Sequence, residues 1–318
     1  MLSRTADHLF WSARYTERAE NTARMLDVNY QTSLLPQSAS VAEMGWKGVL
    51  SISELTDSYA ATHGAVTAKG VMEFMTLDED NPSSIASCLR AARENARAVR
   101  GTLTTEVWET NNTTWLELQR RLDPGSFHKD PGQFFEWVKF RSHLSRGVTV
   151  GTMLQDEAFH FLRLGSFLER ADNTARMLDV KFHALQSDFY GTATDKDLEY
   201  DFYHWSGILR SVSAFETYRK VYRDVITPER VAELLILRAD MPRSLAACMS
   251  EVVVNLAQVK NDHSAETERR AGQLHASLQY GKIDDIMATG LHAYLTNFLE
   301  RVNDLGSRIS GDFLIPTY

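Results

Sequence analysis

The chain has 318 residues, of which 43% are apolar and 24% charged, and its formal charge is −8. That length and apolar share are enough to bury one extended core or two smaller ones, and 7 prolines with 17 glycines favour long helices over the turn-rich grammar of sandwiches and barrels. The acidic balance excludes a broad nucleic-acid face, because phosphate contacts need clustered Lys and Arg, and Arg120-Arg121 and Arg269-Arg270 read as solvated surface pairs.

The chain starts Met1-Leu2-Ser3-Arg4-Thr5, without the basic and apolar regions of a secretion leader, and no apolar run approaches the roughly 18 residues of a membrane helix. Two cysteines, Cys88 and Cys248, do not make a disulfide framework, so the expectation is a cytoplasmic protein with no membrane and no nucleic-acid partner. The Asn111-Asn112-Thr113-Thr114 sequons then carry no glycosylation.

A first long helix carries Glu17-Arg18-Ala19-Glu20-Asn21-Thr22-Ala23-Arg24-Met25-Leu26-Asp27-Val28. A helix around Trp46, a short one at Val71 to Leu77 and a long one starting at Pro82 follow, the proline suiting a first helical turn. Asp123-Pro124-Gly125 and Asp130-Pro131-Gly132 then read as turns. A second long helix repeats the first motif as Glu169-Arg170-Ala171-Asp172-Asn173-Thr174-Ala175-Arg176-Met177-Leu178-Asp179-Val180, where only Asp172 differs, at an offset of 152. Trp205, Gly207, Leu209 and Tyr218 match Trp46, Gly48, Leu50 and Tyr59; Pro242, Ser244, Ala246 and Cys248 match Pro82, Ser84, Ala86 and Cys88. Ser187 to Asp197 reads as a loop, Val231 to Leu237 as a short helix, and Pro242 as another helix start. The expected fold is all-α: one domain over 1–318, an internally duplicated helical bundle with a pseudo-two-fold, repeats at about 1–130 and 150–285, and a closing helix at 283–310.

On a helical wheel Glu17, Asn21 and Arg24 share one face, and Ala19, Ala23 and Leu26 form a small apolar stripe opposite. Glu169, Asn173 and Arg176 repeat this, and Phe161, Leu164 and Leu168 extend the stripe, which is read as core. The polar face has two readings. It is either an inter-repeat lattice of carboxylates and guanidiniums, or a groove in which Arg18, Arg24, Arg170 and Arg176 hold the carboxylate, amide or phosphate of a ligand such as a peptide. Glu157-x-x-His160 has the spacing of a di-iron ligand pair, but position 5, its repeat equivalent, is threonine and only Asp201-x-x-His204 offers a second pair, so no metal is expected. Phe298-Leu299-Glu300-Arg301 echoes Phe167-Leu168-Glu169-Arg170 and is a candidate third Glu-Arg position. Cys88 and Cys248 read as core thiols. No phosphate loop, nucleophile elbow, zinc motif or other cofactor signature occurs.

Leu2-Ser3-Arg4-Thr5-Ala6-Asp7, the Glu17 to Arg24 run, and Asp156-Glu157-Ala158-Phe159-His160-Phe161-Leu162-Arg163-Leu164-Gly165 leading into Glu169-Arg170-Ala171-Asp172 resemble the bacterial alpha-E family over essentially the whole chain. Thr16, where an apolar residue like Leu168 is expected, and His8, often an amide, depart from its pattern. The resemblance implies proximity to ATP-grasp and transglutaminase-like proteins, and so a non-catalytic accessory or substrate-binding subunit of a peptide or amide ligase system. An enzyme using Glu17, Glu169 or Glu157 as general base, and a purely structural scaffold, are the alternatives.

Overall fold

The computed structural model describes residues 1–36, 38–122, 124–188 and 204–315, and among them every regular element is helical. The helices are α1 Ser3–Ser33, α2 Ala39–Ile52, α3 Thr56–Thr62, α4 Ala68–Thr76, α5 Ile85–Ala98, α6 Thr105–Arg121, α7 Pro124–Phe127, α8 Pro131–Thr152 and α9 Glu157–Asp188. They continue with α10 at 204–211, α11 Phe215–Tyr222, α12 Pro228–Ile236, α13 Leu245–Val259, α14 Ala265–Gln279, α15 Ile283–Thr289 and α16 Leu291–Ile309, and a π turn at Ser310–Leu314 closes the described chain. Among the described residues no helix is long and apolar enough to cross a membrane.

The starts of these helices follow from short polar side chains. Ser38, Thr67, Ser84, Thr104, Asp130, Thr227 and Ser244 each accept a hydrogen bond from a backbone N–H of the first turn, a cap worth about 1 kcal/mol. This corrects three expectations. Pro82 and Pro242 lie two residues ahead of the caps Ser84 and Ser244 and are not the first helical residues. Pro131 does not mark a turn: capped by Asp130, it opens the 22-residue α8. Pro124 and Gly125 belong to the single turn α7, and Asp123 lies outside the described residues. The 283–310 helix is broken as well, because Gly290 adopts φ +95°, a conformation that ends α15 and starts α16. The Ser187 to Asp197 loop lies, beyond Asp188, outside the described residues.

Two long helices organise everything else. α1 packs chiefly on α9, α5 and α8, and α9 on α1, α13 and α16; α6 lies on α5 and α8, and α14 on α13 and α16. One core gathers Ala19, Ala23, Leu26, Trp46, Tyr59, Met75 and Phe135, and the other gathers Leu164, Leu168, Ala171, Ala175, Trp205, Tyr218 and Leu295. α1 contributes to both, since Leu9 and Phe10 belong to the second core. Where α1 and α9 approach, a Cβ on Gly165 would sit 2.2 Å from the Phe10 carbonyl oxygen, so only glycine permits the contact. That approach brings the two Glu-Arg segments face to face.

Candidate functional site

Because α1 is covered on several sides, its polar stripe is buried along with its alanine stripe: Glu17, Glu20, Asn21 and Arg24 are all inside, as are Ala19, Ala23 and Leu26. The motif residues pair across the helix contact. Arg170 donates Nε and Nη2 to Glu17 at 2.9 and 2.8 Å, and Arg18 donates Nε and Nη2 to Glu169 at 2.5 and 3.1 Å. Each Glu-Arg dipeptide thus gives its carboxylate to the other's guanidinium. Such bidentate pairs fix orientation as well as charge.

Further arginines complete the lattice. Arg243 reaches Glu17 at 3.1 Å, Asn21 Oδ1 at 2.8 Å and Glu20 at 2.6 Å, while Arg24 forks onto Glu20 at 2.9 and 2.7 Å. Arg146 of α8 donates to Glu17 at 3.1 Å and also to Glu20, and Ser142 Oγ donates to Glu20 at 2.6 Å. On the other side Arg14 joins Arg18 on Glu169, at 2.7 Å. Arg24 and Arg176 also extend outward, Arg24 to Ser213 Oγ at 2.5 Å and Arg176 to Asp172 at 2.8 Å and to Glu54. Glu54 and Ser213 both have left-handed backbone, φ 55° and 54°.

Around Glu17, Glu20 and Glu169 stand six guanidiniums, those of Arg14, Arg18, Arg24, Arg146, Arg170 and Arg243, so positive charge is in excess. Burial alone would raise the Glu17 carboxyl, but Arg170 and Arg243 outweigh it and hold the group at about 2. Burial likewise opposes ionisation of Glu20 and Glu169, and their arginines again win: Glu20 is held well below the ordinary carboxylate range, and Glu169 is lowered too. Burial and the like charges of Arg170 and Arg24 lower the Arg243 guanidinium against the pull of Glu17 and Glu20. Burial pushes His143, wedged between Arg24 and Arg146, below its usual range. A carboxylate held near 2 with both oxygens occupied is a poor proton acceptor at neutral pH.

The remaining candidates do not join the lattice. Asn173 is half-buried and its side chain makes no hydrogen bond among the described residues. Glu157 is exposed and accepts from the Met1 amino group at 2.6 Å, while His160 Nδ1 is engaged by Asn255 Oδ1 at 2.8 Å. Their sequence spacing therefore does not produce a convergent pair. Among the described residues no group of three His, Cys, Asp or Glu could hold a metal ion, and Asp201 lies outside them. Glu300 is exposed, and neither it nor Arg301 pairs with a motif residue. Cys88 and Cys248 are fully buried, and burial pushes both thiols up to about 12.

Sequence reading missed Arg14, Glu20, Ser142, His143, Arg146 and Arg243 as members. Glu20 was visible as the only motif position that differs, and Arg243 as the arginine in Pro242-Arg243-Ser244 where the first copy has Pro82-Ser83-Ser84. Nothing in the sequence marks α8 as their partner. Beside the lattice a cleft of about 100 Å³ opens between α1, α6, α8 and α9, with Glu17, Arg146 and Arg170 on its wall.

Residues 1–314 match the family model alpha-E, described as a predicted alpha-helical domain with a conserved ER motif. Uncharacterised proteins of Mycobacterium bovis and of two Mycobacterium tuberculosis strains are 21% identical over 320 residues, covering 94% of this chain. The chain spans only about a third (35%) of the length of these curated relatives. No solved structure matches.

Proposed function

The chain belongs to the alpha-E family, and from that premise we propose that it is a non-catalytic accessory or substrate-binding subunit of an ATP-grasp type peptide or amide ligase system, working with an ATP-grasp protein and with a transglutaminase-like protein. The observation that carries this reading is the state of the motif carboxylates. Glu17, Glu20 and Glu169 have their oxygens engaged by guanidiniums and their acidity strengthened, which suits a fixed joint and not a general base. The relatives support it too, since there the equivalent region is one part of a much longer chain.

The same reading takes the fold as an internal duplication with a pseudo-two-fold. Its support is the 152-residue offset of the motifs, the reciprocal Glu17–Arg170 and Arg18–Glu169 pairs, and the matching His8–Asn95 and His160–Asn255 bonds, each 2.8 Å. In this arrangement the motifs join the halves, and ligand or partner binding falls to neighbouring surfaces. Affinity purification of the tagged protein from its native host at low salt, with mass spectrometry of what co-elutes, tests it. Stoichiometric recovery of an ATP-grasp protein is expected; recovery of this chain alone contradicts the subunit role.

A further inference from the structure

The cleft between α1, α6, α8 and α9 exists on one side of the helix pair, and the reason is local. On α9 it is walled by Arg163 and Ser166. At the 152-residue offset their counterparts on α1 are Trp11 and Arg14, a large ring and a long side chain, Arg14 lying 4.9 Å from the Trp11 ring centroid and donating to Glu169. Serine at 166 is far shorter than arginine and leaves room.

What lines that room is chemically specific. Arg146 is 29% exposed; its terminal nitrogens are engaged by Glu17, Glu20, Ser142 and His143, and its Nε–H makes no hydrogen bond among the described residues. The Ser145 and Ser166 hydroxyls are half-buried and also make none. Glu17 on the wall has both oxygens taken by Arg170, Arg243 and Arg146, so it does not cancel the surplus positive charge of the lattice. Val107, Val150, Leu162 and Phe167 supply apolar wall, Phe167 having the Arg163 and Arg170 guanidiniums 4.6 and 5.0 Å from its ring centroid.

We propose that this cleft binds the carboxylate end of a small organic acid or peptide, the carboxylate meeting Arg146 and the two serine hydroxyls and the adjoining aliphatic group lying on the apolar wall. Its size suits such an end group, since a dry cavity of about 150 Å³ accommodates benzene. Inorganic phosphate would satisfy the donors but gain nothing from Val107, Val150 and Leu162, so an acid with an aliphatic stem is the better match. The proposal rests on the subunit reading only in naming what such a subunit would hold.

The test is isothermal titration of the purified chain with acetyl-alanyl-alanine, its C-terminal amide, and inorganic phosphate. The free acid is expected to bind saturably at one site, with the amide and phosphate each weaker by about tenfold or more, one charge-assisted hydrogen-bond pair's worth. Ser145→Phe, which fills the cleft without touching an ion pair, abolishes binding while leaving the melting temperature unchanged, and Arg146→Met abolishes it at some cost in stability. No binding of the free acid at millimolar concentration, equal binding of acid and amide, phosphate binding as tightly as the acid, or binding that survives Ser145→Phe overturns the proposal. If the acid binds and no ligase co-purifies, the subunit reading falls and the cleft stands; the reverse pattern removes the cleft alone.

Discussion

Glu17 and Glu169 sit in twelve-residue segments that differ at one position, yet their surroundings are unequal. Glu17 shares with Glu20 four arginines, Arg24, Arg146, Arg170 and Arg243, drawn from α1, α8, α9 and the turn before α13. Among the described residues Glu169 meets only Arg14 and Arg18, both from α1 and 17% and 27% exposed. The shorter Asp172 stands where Glu20 does and turns to Arg176 on its own helix. A motif therefore fixes the pair across the helix contact, while the depth of the lattice is set by what other helices contribute. Around Glu17 and Glu20 four parts of the chain meet; around Glu169 two do.

Removing carboxylates should expose this inequality most strongly. Glu17→Ala leaves buried guanidiniums facing one another and should cost about 3–5 kcal/mol in urea unfolding, whereas Glu169→Ala, whose arginines can turn to water, should cost about 1–3 kcal/mol. Equal losses would mean that the two sites are energetically alike. Because positive charge is in excess, Arg243→Ser, which copies the residue at position 83, should cost less than Glu17→Ala, about 1–3 kcal/mol. A larger loss than Glu17→Ala would contradict the charge count.

Gly165→Ala acts on both motifs together, since its methyl meets the Phe10 carbonyl; a loss of about 1–3 kcal/mol is expected. Gly147→Ala in α8, where an added Cβ meets nothing within 4 Å, should instead stabilise by about 0.4–1 kcal/mol. Acid offers a milder comparison. Both motif carboxyls are lowered on folding, Glu17 from 4.5 to about 2, so their contribution is whole above pH 4.5 and is lost as pH falls through the folded values. Stability should decline from about pH 5 downward, and Glu17→Gln should flatten the decline between pH 4.5 and 2; an unchanged slope contradicts the assignment. The smallest effect concerns the thiols: Cys88 and Cys248 should resist alkylation in the native state at pH 8 and react in urea.

The helical class, the two long helices and the alanine stripes of both motifs were readable because apolar spacing and repetition are local signals. The burial of the polar stripe was not, because helical spacing shows which residues share a face but not how many neighbours cover it. Proline is a poor guide to helix starts at Pro82 and Pro242, where serine caps set the boundary, while Pro131 in its Asp-Pro-Gly turn signature opens a helix. The partner roles of Arg146 and Arg243 required tertiary contacts between segments more than a hundred residues apart. The cleft depended on the short side chain at Ser166, which becomes meaningful only once the long Arg14 is seen at the corresponding position of α1.

The most direct test of the joint is a double-mutant cycle on Glu17→Gln and Arg170→Met, followed by urea unfolding. Each single change should be costly and the double change should cost less than their sum, with a coupling energy of about 1–3 kcal/mol. Additive losses with no coupling would show that the two Glu-Arg segments do not hold α1 and α9 together.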